Sequence, residues 1–253
     1  MAKQSNVFTA EGKVGKASFY KSGANGYLLR QKGGISAARM ASDPKFANTR
    51  KNGQEFGRAG KAGKLVRNGF ATLLKNGSDG TITRRLTSQT MVVVQADTTH
   101  PFGDRVILSA NLLMLKKFEC NANATLLANM TAPSTTTIDR AGGKLSVAIP
   151  SFVPKTSITP PPSATHYKLV AASAELDFTN DAVVSGNSQL TDALPLDNNP
   201  TVAVNLQCTA SANSTLPLFL VLGIQYFIMI NGNLDPIGDG KSNALQIIEV
   251  SVV

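Results

Sequence analysis

Apolar and polar positions divide the chain into three stretches: strand-like, helical and strand-like again. From Val14 to Lys21 the residues favour a strand, and Tyr27 to Gln31 can answer it as a second. Between them Asn25-Gly26 predicts a hairpin turn, because both residues tolerate positive φ, and Gly33-Gly34 closes the second strand. Near residue 43 the period becomes 3.6. Asp43 suits an N-cap and Pro44 the first helical position, which predicts a long helix ending at Asn76-Gly77. Phe56, Ala59, Ala62, Val66, Phe70, Leu73 and Leu74 fall on one apolar arc of that helix. Arg50, Gly53, Gly57, Gly60, Lys61, Lys64 and Lys75 fall on the other. Each glycine costs a helix about 1 kcal/mol against alanine. Either Gly53, Gly57 and Gly60 let another backbone pack closely, or the helix breaks near Gly53 or Gly60.

From Thr81 onward the pattern predicts strands. They are expected at Met91–Val94, Arg105–Ala110, Lys144–Ile149, Tyr167–Phe178, Thr201–Thr209, Leu216–Ile230 and Ala244–Val253. Alternation is clean from Thr201 to Leu206 and lost from Leu218 to Ile224. The latter run must be covered on both faces, in a sandwich core or under a neighbouring subunit. The expected fold is mainly β, α+β overall: a β-sandwich or jelly-roll-like body preceded by a basic β-hairpin and one long helix. Residues 1–85 form the basic segment and residues 86–253 the body, with a sub-boundary at the proline-rich stretch 150–163. That stretch holds five prolines and reads as a stiff connector, a segment lying along a neighbour, or a surface loop.

Charge sharpens this division. Residues 1–85 carry 17 Lys or Arg against 4 Asp or Glu, whereas residues 86–253 carry 8 against 12. Within the last 85 residues Lys241 is the only cation. A basic head and an acidic tail attract polyanions, or each other between copies of the chain. Charged residues make up 16% of the chain, below the roughly 25% usual for globular proteins, as expected of a surface partly hidden against neighbours or, equally, of an ordinary β protein.

Chemistry adds little. Two histidines, His100 and His166, stand outside any nucleophile–base pattern, and no metal-ligand spacing occurs. Gly57 to Lys64 resembles a phosphate loop only superficially: Arg58 stands where the first glycine belongs and Leu65 where Ser or Thr belongs. Cys120 and Cys208 are too few for a disulfide framework. The apolar run Leu216–Ile230 is shorter than the roughly 20 residues of a membrane helix. Met1 to Ala10 lacks the apolar core of a signal peptide, so cytoplasmic synthesis is expected, the product then joining a virion or other released assembly. No catalytic residue, metal or cofactor is expected.

The run Gly12-Lys13-Val14-Gly15-Lys16-Ala17-Ser18-Phe19-Tyr20, followed by Arg50 and Glu55-Phe56-Gly57, resembles an uncharacterised family of bacterial proteins of about this length. That family carries a Gly-x-x-Gly-x-x-x-Phe-Tyr hairpin and an Arg-x-x-x-x-Glu-Phe-Gly helix, and the resemblance implies no activity, ligand or site residue. The basic arm before a sandwich is also similar in layout to small viral coat proteins. The function expected is a non-enzymatic, self-assembling subunit of a shell, tube or filament. Arg50, Lys51, Arg58, Lys61, Lys64 and Lys75 are the candidate contacts to anions or neighbouring subunits, and Gly53, Gly57 and Gly60 the candidate close-packing strip. The alternative is a nucleic-acid or polyanion-binding protein, with Phe19, Tyr20 and Tyr27 as stacking faces beside the cations.

Overall fold

The computed structural model describes residues 2–4, 9–23, 25–31 and 34–253, which fall into two compact units, one within residues 1–50 and one of 51–253. The first holds an antiparallel sheet of β1 (Ala2–Lys3), β2 (Gly12–Val14), β3 (Ala17–Ser22) and β4 (Gly26–Gln31), in the order β1-β4-β3-β2. The expected hairpin is β3–β4. Its register joins Lys21 to Tyr27 and Ser22 to Gly26, so the turn spans Gly23 to Asn25, of which Ala24 lies outside the described residues, as does Gly33 of the expected stop. Helix α1 (Ala37–Ser42) follows. Asp43 then caps a 3-10 turn, Pro44–Phe46, by accepting from the Lys45 amide.

Helix α2 (Ala47–Gly69) runs unbroken past Gly53 and Gly60 and carries the chain into the second unit. It stops at Phe70, before α3 (Ala71–Gly77), so the single long helix expected is two. The interruption falls where Gly69 lies against the body: a Cβ there would crowd Ala174 and Leu176. Helix α4 (Ile82–Gln95) replaces the strand expected at Met91–Val94. Val92 to Val94 favour strands locally, but Ile82, Leu86 and Val93 recur at helical spacing and are buried, and packing overrides propensity. The segment expected as a strand at Arg105–Ala110 is irregular and enters a 3-10 helix, Ser109–Leu115. Its polar groups bind side chains instead of a neighbouring strand, with Arg105 on Glu55 and the Val106 amide on Asp97.

The remainder is a short helix, α5 (Leu126–Asn129), strands β5 (Thr135–Asp139) and β6 (Lys144–Ile149), a helical turn α6 (Pro154–Ser157), and strands β7 (His166–Asp177), β8 (Ala182–Ser185), β9 (Ser188–Leu190), β10 (Leu194–Pro195), β11 (Val204–Thr209), β12 (Leu218–Ile230), β13 (Asn233–Pro236) and β14 (Ala244–Ser251). Strand exceeds helix, 34% to 28% of residues, so the chain is mainly β with an α+β arrangement. At the centre, β7 and β12 pair over ten residues, from Leu218 with Glu175 to Phe227 with His166. β14 and β13 share the outer edge of β12, while β8, β9 and β10 share that of β7. A second sheet, β11-β6-β5, packs on one face, a sandwich in the loose sense.

Two cores result. On one side of the central sheet, Phe219, Val221, Val170 and Ala172 meet Val66, Phe70, Leu73, Leu86 and Leu115 from the helices. On the other, Leu218, Leu220, Leu222, Ile224 and Leu169 meet Leu145, Val147, Ile149 and Leu206 of the second sheet. The missing alternation in Leu218–Ile224 therefore reflects a strand covered on both faces by its own chain. Gly223 is the exception the packing demands, since a Cβ would collide with the Ala244 carbonyl. The proline-rich stretch joins the two sheets and buries Phe152, Pro154 and Ile158, with Ile158 bridging Met130. Helix α4 spans residue 85, and its buried face belongs to the first of these cores; the two compact units divide in the sequence after Arg50.

Each fully buried leucine contributes about 1.5–3 kcal/mol through removal from water. Leu222→Ala should accordingly cost about 2–5 kcal/mol in urea unfolding, while Val92→Ala on the exposed side of α4 should change stability by less than about 0.5 kcal/mol. Equal effects would show that β12 is not enclosed on both faces.

Candidate functional site

The six cations expected as contacts divide by role. Arg50 donates to the Met40 and Asp43 carbonyls at 2.9 and 3.0 Å, tying the start of α2 to the turn before it. Arg58 donates to the Gly103 and Arg105 carbonyls at 2.6 and 3.1 Å. The Lys51 ammonium lies 5.8 Å from the centre of the Phe102 ring, against which Arg105 also stacks. These three are used internally. Lys61 reaches Asp181 at 3.7 Å with both side chains exposed, a pair of little energetic weight. Lys64 and Lys75 are exposed and enter no ion pair among the described residues.

Gly53, Gly57 and Gly60 face open space: an added Cβ at any of them meets nothing within 4 Å. Gly63, by contrast, lies in van der Waals contact with Thr87 and Thr90 of α4. Thr90 reinforces that contact by donating to the Ala59 carbonyl at 2.8 Å.

Buried carboxylates act as clamps. Glu55 takes Arg105 through two bonds of 2.7 and 2.8 Å and accepts from the Gly103 amide, and the Arg105 hydrogen bond holds its carboxyl below the usual range. Asp79 binds Arg85, Thr81 and the Ala122 amide, pinning the α3–α4 turn to the segment after Glu119. Burial would raise Asp79, and those bonds outweigh it. Glu175 is buried, which alone would raise its carboxyl, but bonds from Ser185, Ser214 and Ser211 bring it down to about 2.

His100 and Asp97 meet at 2.7 Å, and Thr99 approaches the same ring nitrogen at 2.9 Å, so the three side chains close a turn. His166 lies beside the Thr165 hydroxyl at 3.0 Å. Cys120 and Cys208 are free thiols buried in different cores, their pKa values pushed up by burial to about 12 and about 11. Among the described residues no His, Cys, Asp or Glu side chains are grouped as a metal site requires, and no helix is long and apolar enough to cross a membrane.

What remains is surface. On the first sheet, register places Lys13, Ser18 and Arg30 on one face with Tyr20, Leu28 and Lys3. The Arg30 guanidinium lies 5.7 Å from the Tyr20 ring. In the second unit, the outer sides of α2 and α4 form an apolar groove of about 630 Å³ lined by Phe56, Thr87, Met91, Val92 and Arg84. Phe56 belongs to the arc expected to face the core, but it sits at the rim of that arc and is 61% exposed. The groove eluded the sequence because Met91 and Val92 read there as strand. Only the outlying angle of Phe56 signalled it. A comparison with protein-family models and with curated proteins finds no match.

Arg58→Ala should cost about 2 kcal/mol, because two carbonyls lose a charged donor, whereas Lys64→Ala should stay within about 0.5 kcal/mol. Urea unfolding distinguishes them. The depressed Glu175 carboxyl contributes stability above its ordinary value of 4.5, lost as pH falls towards about 2. Glu175→Gln should thus be less stable than wild type at pH 7, with a shallower loss between pH 4.5 and 2.

Proposed function

We propose that the chain is a non-enzymatic structural subunit that assembles with copies of itself into a shell, tube or filament, its basic N-terminal unit docking on acidic surface of a neighbour. The observation that carries this reading is the character of the first fifty residues. They hold nine Lys or Arg against two Asp or Glu. Among their described residues only Leu28 is buried. Small sheets need an apolar face covered by something to be stable. Val14 on the edge strand β2 is 72% exposed, and such an edge is a template for pairing unless it is covered. The acidic C-terminal third supplies a complementary surface in every other copy.

The second reading, a nucleic-acid or polyanion binder, draws on the face of the first sheet where Lys3, Lys13 and Arg30 surround Tyr20. Stacking on an aromatic ring among cations is the usual way to hold single strands. Of the helix cations, Arg50, Lys51 and Arg58 are engaged within the chain, which leaves the exposed Lys61, Lys64 and Lys75.

Light scattering and electron microscopy across a salt series separate the two. The structural reading expects assembly at low salt, loosened towards 1 M salt where charges are screened within about 3 Å, and weakened by Lys13→Glu with Arg30→Glu. A monodisperse monomer at high protein concentration and low salt would sink it. Binding of random single-stranded RNA or DNA by that monomer would install the second reading, provided the log–log salt slope falls by about 0.7 for each phosphate that a charge-removing variant leaves unneutralised.

A further inference from the structure

We infer that the α2–α4 groove receives the β12–β13 hairpin of a second copy of this chain, giving a head-to-tail contact. The inference rests on the structural-subunit reading and names the surfaces of one of its interfaces. Hairpin and groove are both parts of the second unit. β12 runs past the end of β14, and its last residues, Ile228 to Ile230, pair only with β13 among the described strands. A tight turn at Asn231-Gly232, both at positive φ, closes the hairpin.

Register sorts its side chains. Ile230 pairs with Asn233 and Ile228 with Asp235, so one face offers two isoleucines beside a carboxylate. Met229 pairs with Leu234 on the opposite face. Ile230 is 46% exposed at the tip, where an apolar side chain gains nothing from water.

The groove matches that face in kind. Phe56, Met91 and Val92 supply apolar wall, with Val92 42% exposed, and among the described residues Arg84 is its only charged lining residue. The open helix surface beside it carries Lys64 and the unfilled glycines. Two such grooves facing each other would oppose like charges, which disfavours a symmetric helix-to-helix dimer. The hairpin brings Asp235 to Arg84 and Ile230 to Phe56 and Val92, so charge and polarity both select it. A knob from one surface in a pocket on another is heterologous, and repeats until it closes a ring or extends a filament.

The experiment uses the full chain. Val92→Asp breaks the groove and Ile230→Asp breaks the hairpin, both at exposed positions, with circular dichroism and urea unfolding to establish that each folds. Each alone should weaken self-association at least tenfold in sedimentation velocity. An equimolar mixture should associate more strongly than either variant alone, because Val92→Asp keeps the hairpin intact and Ile230→Asp keeps the groove. Met229→Asp on the far face should associate like wild type. Arg84→Glu and Asp235→Lys should each weaken association and together restore it, which keeps the test decisive if an aspartate variant misfolds. Wild type that assembles while all these variants assemble equally would overturn the contact and leave the structural-subunit reading standing. Equal loss in Met229→Asp and Ile230→Asp would also overturn it. A monomeric wild type would remove both.

Discussion

The arrangement of the second unit depends on the pairing of β7 with β12, two long strands that are apolar on both faces. A strand of that kind cannot sit at a surface or at the outside of a single layer. Leu218, Leu220, Leu222, Ile224 and Tyr226 require one cover, Phe219 and Val221 another, and the chain must supply both. It does so with unlike materials, helices on one side and a three-stranded sheet on the other. The three-layer order follows from that requirement more than from any local propensity.

Covering the central pair with helices has an electrostatic consequence. α2 is rich in cations and poor in apolar residues, and the small residues Ala59, Ala62 and Gly63 let it approach α4 closely. Its one carboxylate, Glu55, is buried and is tolerated there only through Arg105 and the Gly103 amide. The same device recurs at Asp79 and Glu175. Each secures an irregular segment that has few strand or helix bonds of its own: residues 101–106, the turn after α3, and the segment around Ser211. The buried charges thus replace missing backbone pairing, and their depressed pKa values reflect that use without implying proton transfer.

Legibility in the sequence followed how far each segment is governed by its own pattern. The β3–β4 hairpin, β6, β11, β12 and β14 were readable because alternation or unbroken apolarity extends over at least six residues. α4 was not, since the run Met91-Val92-Val93-Val94 has the composition of a strand and becomes helical only through contacts of Ile82, Leu86 and Val93 with distant residues. The break at Phe70 depends on Gly69 meeting Ala174, a contact more than a hundred residues away in the chain. The candidate cations show the same limit. Charge density located the basic region, but only geometry separates Arg58, which is tied to two carbonyls, from Lys64, which is not.

On the structural-subunit reading, the distribution of charge also constrains symmetry. A basic surface and an acidic surface at different places on one chain attract when copies are arranged head to tail. A two-fold arrangement that brought either surface onto itself would oppose like charges. Two facing grooves, each carrying Arg84, would add to the same like-charge opposition. Long-range charge orients approaching copies but weakens with salt. On the proposed contact, Ile230 set against Phe56 and Val92 of another copy would be insensitive to screening and would set the register once formed. The two terms do different work: the first governs how fast copies meet, the second how long they stay.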